Sequence, residues 1–135
     1  MTNHGRAYMT IWPNPGAYAW PMEVFLEAVR RADHAEKPSR MTSAYAFETI
    51  EDAYAFIGRY GLQTIQSDIY EVDGEVLHRG NMELVSINMP ACPGAYSFAV
   101  ARAYWLGEQG PAPALWELLL RPPIRVGRKV EADVR

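Results

Sequence analysis

Few of the residue types that most often carry chemistry stand at a spacing that would let them act together. The histidines are His4, His34 and His78, and no two lie three or four residues apart, as metal-binding pairs usually do. Cys92 is the only cysteine, so the sequence offers neither an internal disulfide nor a cysteine-based zinc site. We therefore predict no metal site, and we interpret His34 as a residue that compensates the dipole at the end of a helix.

The glycine patterns that hold phosphate groups are also missing. The sequence has no Gly-x-Gly-x-x-Gly, no Gly-x-x-x-x-Gly-Lys-Ser/Thr and no Gly-x-Ser-x-Gly, so it signals no Rossmann fold, P-loop or nucleophile elbow. Thirteen Lys and Arg residues stand against sixteen Asp and Glu, which gives a net charge of −3. Nucleic-acid binding is therefore not signalled, because dedicated nucleic-acid binders are usually basic.

Length and composition are those of one globular domain. The 135 residues are 49% apolar, and we predict a single domain over residues 1–135. No run approaches the ~20 apolar residues of a membrane helix, and the N-terminal residues 1–6 lack the apolar segment of a signal peptide. A single cysteine suits a reducing compartment, although a secreted protein without disulfides would look the same. We expect the cytoplasm, or a host cytoplasm into which the protein is delivered.

Apolar periodicity predicts more strands than helices. Strands are expected at 7–12, 42–47, 64–72, 75–79, 83–87, 116–120 and 124–130, and helices at 22–34, 53–60 and 96–106. Asp73-Gly74 predicts a hairpin turn, and a second turn is expected at Arg121-Pro122-Pro123. Helices that interrupt strands irregularly indicate an α+β fold.

Two groups of polar residues lie on or beside the predicted strands. The cluster after the predicted hairpin is interpreted as a solvated loop; it consists of His78, Arg79 and Asn81. The basic residues near the C-terminus are interpreted as a solvated strand face, with binding of an acidic partner as the alternative; they are Arg121, Arg125, Arg128 and Lys129.

The segment from Arg40 to Phe56 resembles the strand-then-helix element of the ADP-ribosyltransferase superfamily. In that element a strand tyrosine is followed by a turn and a helix that carries an aromatic about three turns further on. Tyr45 and Phe56 match this spacing, and Tyr54 is the alternative aromatic.

The segment 116–130 resembles the C-terminal hairpin of the same superfamily, in which a glutamate opens an apolar strand. Glu117 matches that glutamate. The helix end at 101–107 is similar to a short bacterial and phage branch known as a domain of unknown function. The resemblance implies a split antiparallel β-sheet with flanking helices that holds NAD in a cleft.

The resemblance also implies roles for five residues. Glu117 would be the catalytic carboxylate that hydrogen-bonds the nicotinamide ribose while nicotinamide leaves through an oxocarbenium-like state. Arg40 would bind the pyrophosphate and Ser43 the ribose, with Tyr45 and Phe56 packing on the nicotinamide. The implied activity is transfer of ADP-ribose from NAD to a macromolecular acceptor, expected to be a protein, by a toxin, effector or phage-encoded modifier.

Two positions depart from the superfamily pattern. Pro13 stands where many members have a first-strand histidine or arginine, and Arg6 is the nearest substitute. Leu115 stands two residues before Glu117, where members that modify arginine usually have Glu or Gln, which argues against an arginine acceptor. The first departure favours an alternative on the same fold, a non-catalytic module that binds a nucleotide or a protein.

Each of the five residues also has a plain structural interpretation. Glu117 could be an ordinary polar residue on a strand face, and Arg40 a solvated surface charge. Tyr45 could serve cross-strand packing, Phe56 the core, and Ser43 could lie outside the site. If all five are structural, the aromatic content would serve a ligand-free dimerising domain.

Overall fold

The computed structural model of the chain describes residues 3–10, 19–59, 68–86 and 94–130. Within these ranges the strands are β1 (Asn3–Thr10), β2 (Ala44–Phe47), β3 (Ile69–Asn81) and β4 (Trp116–Val130). The helices are α1 (Ala19–Asp33), α2 (Ile50–Arg59), α3 (Glu83–Ser86) and α4 (Gly94–Leu106), and a 3-10 turn, Arg40–Thr42, precedes β2. The predicted α+β fold class is confirmed.

The four strands form one closed antiparallel sheet in the order β1-β2-β4-β3. β3 and β4 make the longest pairing, which begins with Ile69 opposite Val130. β1 pairs with the first half of β3, β2 pairs with the start of β4, and Tyr8 opposite Phe47 joins β1 to β2. The structure thus corrects the expected split of the sheet, because these pairings connect all four described strands.

β3 continues through Asp73-Gly74, so the predicted hairpin turn is wrong. Both residues are paired with β1, where Gly5 faces Gly74. A Cβ added to Gly74 would lie 3.2 Å from Cγ2 of Ile124 on β4. The glycine therefore permits a close approach between two strands, which is the other common use of glycine inside a strand.

β4 also continues through the proline pair at 122–123, so the two predicted strands are one. Between the facing pairs Asp73–Arg125 and Glu75–Arg121, β4 has three residues where β3 has one. The extra residues form a bulge, and proline is tolerated there because its missing N–H is not needed by the ladder.

The basic face of β4 lies against acidic residues of β3 and against Asp68, which directly precedes β3. The ion pairs are Arg121–Glu75 at 2.9 Å, Arg128–Glu71 at 3.1 Å and Lys129–Asp68 at 3.2 Å. Exposed pairs of this kind each contribute about 0–1 kcal/mol. Their main effect is to neutralise three of the four residues of the basic patch; the fourth, Arg125, has no carboxylate partner within the described ranges.

The strand predicted at 83–87 is wrong, because Glu83–Ser86 is helical. The preceding Asn81 is fully buried, and its side-chain oxygen accepts hydrogen bonds from the backbone N–H groups of Glu83 (3.2 Å) and Leu115 (2.9 Å). Its amide donates to the carbonyls of Gln109 and Pro113, both at 2.9 Å. Asn81 therefore fixes the start of α3 and the 107–115 loop, and it is not part of a solvated loop.

The helices α1, α2 and α4 agree with the predicted ones to within a few residues. Leu26 and Val29 of α1 pack against the buried face of α4, where the Trp105 indole donates to the carbonyl of Leu26 at 3.0 Å. On α2, the Thr49 hydroxyl accepts from the N–H of Asp52 at 3.1 Å and so caps the N-terminus of the helix. No helix of the described ranges is long and apolar enough to cross a membrane.

Candidate functional site

The centre of the candidate site is the guanidinium of Arg40, which is only 7% exposed. Its Nε donates to both carboxylate oxygens of Glu23 on α1, at 3.1 and 2.9 Å, and its Nη2 donates to one of them at 2.9 Å. Its Nη1 donates to the hydroxyl oxygen of Tyr104 at 2.6 Å and to Oε1 of Glu117. One cation thus joins a helix carboxylate to a sheet carboxylate.

Glu117 lies on β4, opposite Phe47 of β2 and Gly80 of β3, and is 4% exposed. The Tyr104 hydroxyl donates to its Oε1 at 2.6 Å, so both hydrogen bonds that Glu117 accepts within the described chain converge on one oxygen. Oε2 is therefore the carboxylate oxygen that is left to accept a further donor.

Gly80 makes room for this arrangement. A Cβ at that position would lie 2.6 Å from the Tyr104 ring, which is far inside van der Waals contact. The absence of a side chain on β3 therefore lets the ring reach the carboxylate on the neighbouring strand.

The charges of this cluster do not cancel. Glu23 and Glu117 as carboxylates and Arg40 as a cation sum to one negative charge. Burial by itself would lower the pKa of Arg40, but Tyr104 and Glu23 outweigh that effect and raise it above its usual range, so Arg40 stays charged. Burial raises the pKa of Tyr104 to about 12, against the opposing effect of Arg40, so its hydroxyl stays protonated at neutral pH and donates.

Tyr45 covers the outer side of the cluster. Its ring centroid lies 4.8 Å from the Arg40 guanidinium carbon, and its hydroxyl donates to the Arg40 carbonyl at 2.5 Å. The side chain is 38% exposed. Burial of its inner part raises the pKa of Tyr45, which Arg40 partly opposes. Of the described aromatic residues that contact Arg40, Tyr45 is the one that also faces solvent.

The structure therefore brings Arg40, Tyr45 and Glu117 together, but not the other two predicted residues. Ser43 ends the 3-10 turn, and its hydroxyl donates to the Ser39 carbonyl at 2.7 Å. Phe56 is 4% exposed and packs on Phe47 with 5.1 Å between ring centroids, in an apolar cluster beneath β1 and β2. Pro13 lies outside the described residues, and so does the side chain of Arg6.

Sequence reasoning missed both Glu23 and Tyr104 as members of the site. The sequence held a signal for Glu23, because Glu23 and Glu27 are four residues apart beside the apolar stripe of α1. Glu27 is also buried, and its hydrogen bond with Arg30, together with those from Ser39 and Arg31, lowers its pKa to about 2 despite burial. Two glutamates on that face indicated buried cations nearby.

His78 supports the cluster from behind. It is 6% exposed, which corrects the solvated-loop interpretation, and its Nε2 donates to the Tyr104 carbonyl at 2.9 Å. Burial lowers the pKa of His78 to about 4, so the ring is neutral at physiological pH. Within the described residues no group of three or more His, Cys, Asp or Glu side chains could hold a metal ion.

The fold and the cluster together define a small α+β protein with a buried Arg–Glu–Tyr centre between a helix and an antiparallel sheet. The chain belongs to the family described as "Protein of unknown function (DUF2441)", which matches residues 8–132. A comparison with curated proteins finds no match. The four hydrogen-bonded members of the cluster all lie inside this match; they are Glu23, Arg40, Tyr104 and Glu117.

Proposed function

We propose that this protein binds NAD and transfers ADP-ribose to a macromolecular acceptor, with release of nicotinamide. The observation that carries the proposal is the buried position of the Glu117 carboxyl group, which Arg40 and Tyr104 hold by hydrogen bonds to one of its two oxygens. A carboxylate that is fixed in a water-poor site stabilises positive charge as it develops, because it needs no reorganisation when the charge appears. Departure of nicotinamide leaves such a charge on the ribose.

The roles follow from the hydrogen bonds. Glu117 would accept a ribose hydroxyl at Oε2 while Arg40 and Tyr104 hold Oε1. The bond between the ribose C1 and the nicotinamide nitrogen breaks, and nicotinamide leaves with the electron pair. The acceptor nucleophile then bonds to C1 and loses its proton. Tyr45, half exposed beside Arg40, is the aromatic surface available to the nicotinamide.

The convergence of three predicted residues supports this proposal. Arg40, Tyr45 and Glu117 were selected by a resemblance, and they come from segments more than seventy residues apart. The assignment of Arg40 to a pyrophosphate remains a prediction; its three guanidinium nitrogens are bonded to Glu23, Tyr104 and Glu117. In the proposed site its role is therefore to orient the carboxylate.

The expected acceptor is a protein, and Leu115 weighs against an arginine side chain. Leu115 is 3% exposed and packs in the cluster with Phe47 and Phe56. It offers no carboxylate or amide to hold a guanidinium. The proposal therefore favours an acceptor that needs no acidic partner at this position.

A second function, nucleotide or protein binding without transfer, is favoured by the deep burial of the Glu117 carboxylate. Glu117 shows only 4% of its surface, and a ligand must reach it past Tyr45 or through a rearrangement. In this alternative the Arg40 cluster would be purely structural. Binding of NAD with no transfer of its ADP-ribose would support the alternative.

The test uses NAD labelled in its adenylate, incubated with the purified protein and a cell lysate as acceptor source. We expect label on acceptor protein with the native chain and with Glu108→Gln, an exposed control of the same chemistry. Glu117→Gln should lose the transfer by about a hundredfold or more. Equal labelling by both variants would refute the role of Glu117, and calorimetric NAD binding without any labelling would select the second function.

A further inference from the structure

Two surface cavities of about 300 and 330 Å³ share Lys37 and Leu77 as lining residues. Glu117 lines neither of them. The larger cavity presents two cations, Lys37 and Arg79, and none of its lining residues is acidic. Val76, Leu77 and Leu106 add apolar side chains to its wall. A cavity with this lining suits an anion that carries an apolar body.

Lys37 is unusual among the basic side chains that the structure describes. Most of these are bonded to carboxylates: Arg30, Arg31, Arg40, Arg79, Arg121, Arg128 and Lys129. Lys37, Arg102 and Arg125 have no carboxylate partner within the described ranges, and of these three only Lys37 lines either cavity. Its ammonium group is thus available to a ligand in a chain whose net charge is −3.

The backbone of Lys37 is held in place on both sides. Its N–H donates to the carbonyl of His34 at 2.9 Å, and its carbonyl accepts from Nη1 of Arg30 at 3.0 Å. Arg30 is itself anchored by two hydrogen bonds to Glu27, at 2.9 and 2.7 Å. Binding therefore needs to order only the side chain of Lys37 and not its backbone.

The second cation is also pre-positioned. The guanidinium carbon of Arg79 lies 4.1 Å from the Trp116 ring centroid, and its Nε donates to Glu48 at 3.3 Å. His78, which lines the same cavity, has its pKa lowered mainly by burial and further by the charges of Lys37 and Arg40. The charge of Lys37 therefore acts on the part of the cavity that His78 lines.

We propose that the Lys37–Arg79 cavity binds a small phosphate monoester whose apolar group lies against Val76, Leu77 and Leu106. A phosphate monoester carries a charge of about −1.5 to −2 at neutral pH. Lys37 supplies an unpaired cation for it, and Arg79, which shares its charge with Glu48, supplies further N–H donors. The site is separate from the Glu117 carboxylate, and binding here does not depend on ADP-ribosyl transfer.

The test is calorimetric titration at low salt with phenyl phosphate, inorganic phosphate and phenol. We expect phenyl phosphate to bind most tightly, inorganic phosphate more weakly, and phenol not at all. Lys37→Gln should weaken phenyl phosphate binding about tenfold or more, because a hydrogen bond to a charged group is lost. Lys129→Gln is the matched control, since its ammonium pairs with Asp68 outside the cavity.

Folding of Lys37→Gln is expected to be unchanged, because the side chain has no carboxylate partner in the described ranges, and its melting temperature checks this. The proposal is overturned if phenyl phosphate shows no saturable binding, or if Lys37→Gln and Lys129→Gln weaken it equally. Tighter binding of a phosphoserine peptide than of phenyl phosphate would overturn the small-molecule assignment. Loss of phosphate binding with ADP-ribosyl transfer intact would separate this site from the proposed activity.

Discussion

Removal of the Arg40 charge should be among the most damaging single substitutions in this protein. Arg40→Met keeps most of the side-chain volume but leaves Glu23 and Glu117 without their common cation. Breaking a buried ion pair by removing one partner costs about 3–5 kcal/mol, because the other charge stays buried. Glu23 is partly exposed, at 18% of its side chain, so we place the cost near the lower end, about 3 kcal/mol.

The assay is urea unfolding followed by tryptophan fluorescence, with Trp105 buried against the cluster as the reporter. Arg128→Met is the control, since Arg128 pairs with Glu71 at a side-chain exposure of 79%. That substitution should cost at most about 1 kcal/mol.

The double variant Arg40→Met/Glu117→Gln makes the reasoning sharper. With the buried carboxylate neutralised, loss of the cation should cost less, so the double variant should be more stable than the sum of the two single effects predicts. Non-additivity of about 1 kcal/mol or more is expected for directly bonded groups. A cost of Arg40→Met below about 1 kcal/mol, equal to that of Arg128→Met, would refute the account of the cluster.

Three further substitutions test other parts of the structure. Gly80→Ala should lower the free energy of unfolding by about 1–3 kcal/mol in a urea titration, because its Cβ would lie 2.6 Å from the Tyr104 ring; an unchanged midpoint would contradict this packing. Asn81→Leu should lower the free energy of unfolding by more than about 2 kcal/mol in the same assay, because the buried N–H of Leu115 and the carbonyls of Gln109 and Pro113 would lose their hydrogen-bond partner. A neutral effect would show that water replaces the amide. The pKa of His78, lowered to about 4, means that the unfolded chain binds more protons between that pH and about 6.5, so stability should fall as pH falls through this window, by up to about 3 kcal/mol. His78→Gln should remove that slope from the pH profile of unfolding, and an unaltered slope would assign it to other groups.

Local patterns predicted α1, α2 and α4 well, because the signal for each of these helices lies within one short segment. The apolar spacing of α1, the Thr49 cap of α2 and the apolar residues of α4 are all properties of one segment. The two predicted turns were wrong because the conformation of these residues is set by strands that are distant in the sequence. Gly74 lies opposite the bulge that contains the proline pair at 122–123. This arrangement depends on the pairing of β3 with β4, which lies outside either segment alone.

The candidate site was only partly predictable. Resemblance selected Arg40, Tyr45 and Glu117, but nothing in the spacing of Tyr104 showed where its hydroxyl would go. Its ring belongs to the apolar face of α4, and the hydroxyl finds Glu117 only because Gly80 leaves space on β3. Sequence patterns report which face is buried, not which polar atoms meet inside it.

The measurement that tests the proposed function most directly is release of nicotinamide from NAD by the purified protein, which needs no knowledge of the acceptor. Native protein and Glu117→Gln should be compared with NAD in excess, after their melting temperatures show that both are folded. The proposal predicts release by the native protein and a loss of about a hundredfold or more in the variant. Equal release by both, or none from the native protein even with lysate added, would contradict it.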